Sequence, residues 1–252
     1  MVFVTEILRF ESLPSTNLEA ARRAIDGAAE GLCIVAREQT AGRGRLQRQW
    51  ISPIDSGLYF SIVFRPQFEQ NNWSLLTLMA AVAVNDALRE ACSLETDIKW
   101  PNDILANDRK LCGILAETVE TRLGRAVVVG IGINLTKHSF PEELEPVATS
   151  VETVTGRRDD LETLLVALIV ALRKHYAALR ESDGPEKIIR EWCARSSYAE
   201  GKLIRVRESN ETLVGTTRGL EPDGALRVET PTGIRIVRAG DVTNVRPNQE
   251  VS

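Results

Sequence analysis

The chain has 252 residues, 43% hydrophobic and 26% charged, with 17 Gly and 10 Pro. These are globular values that exclude a disordered or collagen-like chain, and the length falls between one and two domains. Lys and Arg total 31 against 35 Asp and Glu, a formal charge of −4, unlike a domain that binds nucleic acid over its whole surface.

The first ten residues carry Glu6 and Arg9 and lack the basic-then-apolar layout of a secretory signal. Residues 5–10 read as a strand, and 15–26 as a helix opened by a Ser15-Thr16 cap with Glu19 near the third turn position. A strand at 32–37 leads into a Gly/Arg loop. Residues 58–64, LYFSIVF, are rich in β-branched and aromatic residues and form a strand. Residues 73–92 make a long Ala/Leu/Val helix, apolar on most sides and therefore largely buried. Further strands are expected at 98–100, 111–120 and 126–133, with Asn107-Asp108-Arg109 as a turn between the first two. After a Pro/Glu-rich connection at 141–158, a helix covers 161–180. It breaks at Asp183-Gly184-Pro185, and a shorter helix covers 186–195. The longest apolar run, 164–172, has nine residues, against about 20 for a membrane span. The chain reads as soluble and cytoplasmic, with an α/β (α+β) fold: a mixed sheet covered by helices.

From Tyr198 the pattern changes to period two. KLIRVR (202–207), ETLVGTT (211–217), ALRVE (225–229) and GIRIVR (233–238) alternate, and Asp223-Gly224 and Pro231-Thr232-Gly233 supply turn chemistry between them. Strands this short make a small barrel. Two domains are expected, 1–196 and 197–252.

The densest chemistry lies at residues 37–50, REQTAGRGRLQRQW, where four Arg and one Glu give a local charge of +3 on a chain whose remainder is therefore −7. Gly42 and Gly44 alternate with Arg43 and Arg45. Glycine lets the backbone approach a ligand, and Arg offers a planar fork for phosphate or carboxylate. Such a loop suits an anionic substrate, although a solvated basic loop or an RNA-contacting one would look the same in isolation. No Walker A motif occurs. A second stretch runs Lys99-Trp100-Pro101-Asn102-Asp103, then Arg109-Lys110-Leu111-Cys112-Gly113. The turn brings Lys110 back near Asp103, as a surface salt bridge or as part of an anion site. A third, VVVGIGIN, ends a strand at Gly130, Gly132 and Asn134 without the third glycine or following helix of a dinucleotide fold. Ser15-Thr16-Asn17 taken alone is a helix cap. Cys33, Cys92, Cys112 and Cys193 are scattered free thiols. With only His138 and His175 available, neither a protein-ligated metal site nor a serine triad assembles.

Taken together and in this order, STN, QTAGRGR…W, KWPNDI…RKLCGIL and VVVGIGIN resemble bacterial biotin–protein ligases over roughly residues 8–245. The resemblance implies a class II synthetase-like catalytic domain followed by a small SH3-like barrel. It also implies the monofunctional type, which starts at the catalytic core without an N-terminal DNA-binding domain. The implied substrates are biotin and ATP with Mg²⁺, and the implied partner is the biotin carboxyl carrier protein of acetyl-CoA carboxylase. Direct DNA binding and membrane association are not expected, and a sheet edge could pair two subunits into a homodimer.

By resemblance, Ser15, Thr16, Asn17 and Gln39 hold the ureido ring, and Gly42, Arg43, Gly44 and Arg45 form a loop over the carboxylate and the adenylate. Lys110 reaches the biotin carboxylate and the α-phosphate, while Gly113, Gly130 and Gly132 let the ligand approach the sheet. Trp50 would close the adenine side, Lys99 and Asn102 would meet phosphates, and Asn134 would lie towards the nucleotide. Lys110, Arg45 and Asp103 are the catalytic candidates. Asp103 would take the acceptor lysine's proton, orient its amine, or serve structurally. Two positions depart from the family pattern: Gln47 stands where a glycine is usual, and Cys112 where a small residue such as Ala is common. The competing readings are a lipoate or octanoate ligase of related fold and a non-catalytic nucleic-acid or ligand-binding module.

Overall fold

The computed structural model describes residues 6–208 and 211–244. Seven strands form a mixed sheet in the order β1-β2-β3-β7-β6-β5-β4: β1 (Ile7–Leu13), β2 (Cys33–Gln39), β3 (Gly57–Phe64), β4 (Asp97–Lys99), β5 (Asp103–Ala106), β6 (Arg109–Thr121) and β7 (Gly124–Asn134). Only β1 and β2 run parallel; every other pairing is antiparallel.

Strand β3 is buried along its whole length, because helices cover the sheet on both sides. On one side lies α2 (Leu75–Cys92), buried at 13 of its 18 residues between the sheet and α4 (Leu161–Leu179). That sandwiching explains why its sequence is apolar nearly all round. A short α3 (Val151–Thr155) precedes α4, and α5 (Gly184–Ala194) packs on α2 and α4.

The other side is covered only in part. Helix α1 (Thr16–Ile25) packs Ala20 and Ala24 against Ile34, Val63, Ala126 and Val128. It leaves open the half of that face running from β7 towards β4. Across the open half one register row joins Tyr59, Gly132, Gly113, Asp103 and Lys99 on successive strands. Alternation along β6 and β7 places Gly113, Leu115 and Glu117 beside Gly130 and Gly132 on this face.

The C-terminal part is a five-stranded antiparallel sheet in the order β11-β10-β9-β8-β12: β8 (Glu200–Glu208), β9 (Glu211–Leu220), β10 (Leu226–Thr230), β11 (Gly233–Val237) and β12 (Asp241–Asn244). Its β9–β10 turn docks on the first part. Trp100 Nε1 donates to Gly224 O at 3.0 Å, and Ser74 Oγ donates to Asp223 O at 2.7 Å.

The fold class is the one the sequence predicts, with differences in detail. Strand β5 was not expected; it follows directly on the Pro101-Asn102 turn and pairs with both β4 and β6. The Pro/Glu-rich connection contains α3, capped by Ser150, whose side chain accepts from Thr153 N. Ser15 has the extended backbone of an N-cap, but its side chain makes no cap hydrogen bond. Helix α5 begins at the predicted break, with Pro185 in its first turn, where a missing N–H costs nothing. Among the described residues no helix is long and apolar enough to cross a membrane.

Candidate active site

At the start of α1, Ser15, Thr16 and Asn17 are each at most 4% exposed. Thr16 donates from both its backbone N (2.9 Å) and Oγ1 (3.1 Å) to Gln39 Oε1, and Gln39 Nε2 donates to Ser52 Oγ at 2.8 Å. Ser61 Oγ donates to Asn17 Oδ1 at 2.6 Å and lies 2.7 Å from Thr16 Oγ1. Asn17 Nδ2 donates to Leu115 O at 3.2 Å and to Glu117 Oε2 at 2.9 Å. These neutral groups satisfy one another, as buried polar groups must. The exception is the Ser15 hydroxyl, released from capping at the cavity wall.

The Gly/Arg loop folds into a hairpin above this net. Trp50 N donates to Gly42 O (2.9 Å), Gly44 N donates to Arg48 O (2.7 Å), and Arg43 pairs with Gln49. At its tip Leu46 and Gln47 both have positive φ, 54° and 60°. Gln47, in place of the expected glycine, thus occupies the left-handed region that glycine favours. Glu117 ties the loop to the net: its Oε1 meets Arg43 Nη2 at 2.8 Å while its Oε2 accepts from Asn17.

The glycines have distinct steric roles. A Cβ on Gly130 would overlap the Asn17 side-chain amide and one on Gly132 the Trp50 ring, while one on Gly113 would press on that ring at 3.0 Å from Cζ3. Trp50 therefore lies flat over these two glycines, with Lys110 Nζ 5.5 Å from its ring centroid. Its indole Nε1 is buried without a hydrogen-bond partner. Trp50, expected to close the adenine side, stands on this glycine bed.

Beyond the glycines the site becomes charged. Lys110 Nζ is 2.6 Å from Asp103 Oδ1, an ion pair between two partly buried side chains. Arg45 Nη1 donates to Asn102 Oδ1 at 3.2 Å, and Asn102 Nδ2 donates to Ile114 O at 2.7 Å. Asn102 thus anchors Arg45 to the sheet. Burial pulls the Arg45 guanidinium below its ordinary range, opposed by Asp241 and Asp103. Burial likewise lowers Lys99; Asp103 opposes that shift and Lys110 adds to it. From the C-terminal sheet Asp241 pairs with Arg48, and Gly240 O lies 3.5 Å from Arg45 Nη1.

One cleft gathers Ser15, Thr16, Asn17, Gln39, Arg43, Gly44, Arg45, Trp50, Asn102, Asp103, Lys110, Gly113, Gly130 and Gly132. Three expected residues lie outside its lining. Gly42 sits behind the loop, where a Cβ would overlap Trp50 O. Lys99 lines an adjoining cavity. Asn134 is buried and donates to Thr149 O at 3.0 Å. The sequence reading missed Ser52, Ser61, Glu117 and Asp241. Ser61 had a signal, as the one small hydroxyl in the otherwise aliphatic and aromatic run LYFSIVF. Glu117 and Asp241 had none. Cys112 is fully buried, and burial raises its thiol far above the ordinary range, so it is not a reactive group beside the cleft.

Residues 8–134 match the biotin/lipoate A/B protein ligase family, and residues 201–243 match the biotin protein ligase C-terminal domain. The bifunctional ligase/repressor BirA of Bacillus subtilis is 37% identical over 94% of this chain and 73% of its own length. The biotin–[acetyl-CoA-carboxylase] ligase of Paracoccus denitrificans is 37% identical over 90% of this chain and 96% of its own. Among solved structures, the biotin protein ligase of Aquifex aeolicus in complex with biotin and ATP superposes with a TM-score of 0.83 at 27% identity, covering 96% of this chain and all of that one.

Proposed function

The chain belongs to the biotin/lipoate A/B protein ligase family as a biotin–protein ligase, and from that premise we propose how its residues divide the reaction. The observation that carries the proposal is the row across the open sheet face: a neutral polar net, then a glycine bed under Trp50, then Lys110, Asp103 and Lys99.

Biotin's ureido ring offers two N–H donors and one carbonyl, all of which must be matched on burial. Ser15, Thr16, Asn17 and Gln39 are the polar groups for it, with the uncommitted Ser15 hydroxyl as one direct partner. The apolar ring and chain then run beside Gly130, Gly132 and Gly113 under Trp50, and the carboxylate arrives at Lys110. Trp50 forms a wall of this acid channel, and its free Nε1–H faces a group the ligand brings.

In the first half-reaction a biotin carboxylate oxygen attacks the α-phosphorus of ATP. The bond from that phosphorus to the bridging oxygen breaks, and pyrophosphate leaves with the electron pair. Lys110 and Arg45, with Arg43 from the loop, neutralise the charge that gathers there. Asn102 acts by positioning Arg45. Asp103, a carboxylate at the charged end of the cleft, would hold Mg²⁺ carried in on the triphosphate, and that ion would supply further neutralisation. In the second half-reaction the amine of a carrier lysine attacks the acyl carbon of biotinyl-5′-AMP, AMP leaves, and Asp103 is placed to take the amine's proton. The mixed anhydride is hydrolysable, which gives the Gly42–Arg45 loop its task of excluding water. The acceptor is the biotin carboxyl carrier domain of a carboxylase. Residues 197–252 form a second domain that contributes Gly240 and Asp241 to the phosphate side.

ATP–pyrophosphate exchange tests this reading with biotin, with lipoate and with no acid. Exchange that requires biotin is the expected result. Exchange with lipoate alone would keep the fold and replace the substrate, and exchange with neither acid would overturn the adenylation proposal.

A further inference from the structure

Past Asp103 the open sheet face continues into a second cavity, between β4 and the C-terminal sheet. Its charged lining is Arg48, Lys99, Asp103, Arg205, Arg207 and Asp241, four cations against two anions. Arg48 is matched by Asp241, and Asp103 by Lys110 in the neighbouring cleft. Lys99, Arg205 and Arg207 have no ion-pair partner among the described residues. Arg205 and Arg207 are two positions apart on β8, so they share a face, while Ile204 and Val206 point into the core. Cations brought together without counter-ions repel one another, and a cavity that holds them is suited to an anion of more than one charge.

The position of this cavity specifies which anion. Displacement at phosphorus is in line, so the leaving group departs opposite the attacking oxygen. The acid channel ends at Gly113 and Lys110; Asp103 is the next strand position and Lys99 the one after. Gly113 to Lys99 is two strand spacings, roughly 10 Å. A leaving group expelled away from the acid channel therefore moves past Lys99 towards β8. We propose that Arg205 and Arg207, on the C-terminal domain, bind the diphosphate of the adenylation step, first as the β- and γ-phosphates of ATP and then as free pyrophosphate. This rests on the ligase reading above and extends it to two residues outside the catalytic domain. It makes each adenylation depend on the two domains staying docked.

The test is ATP–pyrophosphate exchange with the full chain, titrated separately in pyrophosphate and in biotin. It compares the unaltered protein with the double variants R205A/R207A and R205K/R207K. Removing two charge-assisted contacts should raise the pyrophosphate concentration for half-maximal exchange about tenfold or more. The lysine pair should restore most of that loss, and the biotin KM should not follow. An unchanged pyrophosphate dependence in the alanine pair would overturn the assignment. So would a defect seen only in the KM for the carrier domain, which would make the arginines a docking surface for an acidic protein. The unaltered protein is read first, so failure of the ligase reading, an absence of biotin-dependent exchange there, is distinguishable from failure of this proposal.

Discussion

The two ends of the cleft are built from different materials. At the acid end Thr16, Asn17, Gln39, Ser52 and Ser61 are neutral and bonded to one another, on elements that pack around α1. At the phosphate end Arg43, Arg48 and Lys110 are charged, between about a third and two thirds exposed, and each is held by a carboxylate from another element: Glu117, Asp241 and Asp103. Charge accounts for the contrast. A neutral polar ring can be matched by a net assembled in advance, because neutral groups pay little to wait in a dry site. Cations gathered at one end repel one another, and carboxylates hold Arg43, Arg48 and Lys110 until substrate anions take their place. The acid end should therefore respond to mutation through binding, and the phosphate end through rate.

Lys110 gives the largest break in that comparison. Lys110→Ala removes the cation that stands where the acid channel meets the phosphates, and biotin-dependent pyrophosphate release should fall roughly 10²- to 10³-fold, the usual loss for one such group. The biotin affinity of the free enzyme, measured by calorimetry, should fall much less. A variant that adenylates at near-normal rate would remove Lys110 from the catalytic set. An equal loss in affinity and rate would mean that Lys110 belongs to the acid end.

Glu117 sharpens the comparison because it touches both ends. Glu117→Gln keeps an oxygen for Asn17 Nδ2 but gives up the charge opposite Arg43. Both partners are partly exposed, so the loss is that of a modest ion pair. Biotinyl-AMP should then leave the enzyme about two- to fivefold faster, while the biotin KM stays within about twofold. Retention followed by rapid gel filtration or by trapping of released adenylate reads the first quantity. If the biotin KM moves and the retention does not, Glu117 serves the net alone.

How legible each end was follows from the same physics. The motifs around Ser15-Thr16-Asn17, Gly42–Arg45, Lys110 and Gly130-Gly132 could be read because glycine, arginine and short polar side chains have few reasons to cluster in that way. The period-two strands of the C-terminal sheet were also plain, since one face is buried and the other wet. Strand β5 was not, because four residues after a Pro-Asn turn carry no periodicity of their own. The carboxylates that hold the cations were invisible as well. Glu117 sits in a strand whose outward positions are ordinarily polar, and Asp241 reaches Arg48 from 193 residues away along the chain. Only a fold brings such pairs together. Arg205 and Arg207 were hidden in the same way, within the alternating strand KLIRVR.

The smallest effect concerns the loop itself, where Gln47 stands at φ 60°. A non-glycine residue there costs about 1 kcal/mol, and a β-branched one more. Gln47→Gly would relieve that strain, but glycine also widens the open ensemble by a comparable 0.4–1 kcal/mol, so the two changes nearly cancel. Gln47→Val has no such compensation, because valine both resists the left-handed region and restricts the chain. Tryptic cleavage of the ligand-free protein after Arg43, Arg45 or Arg48 measures how often the hairpin opens, provided that opening is fast relative to cleavage. The glycine variant should be cut within about threefold of the unaltered rate, and the valine variant about five- to tenfold faster. If the two variants were cut equally, the left-handed tip would have no part in holding the hairpin, and the tie to Glu117 would be left as the contact that keeps the loop against the acid end.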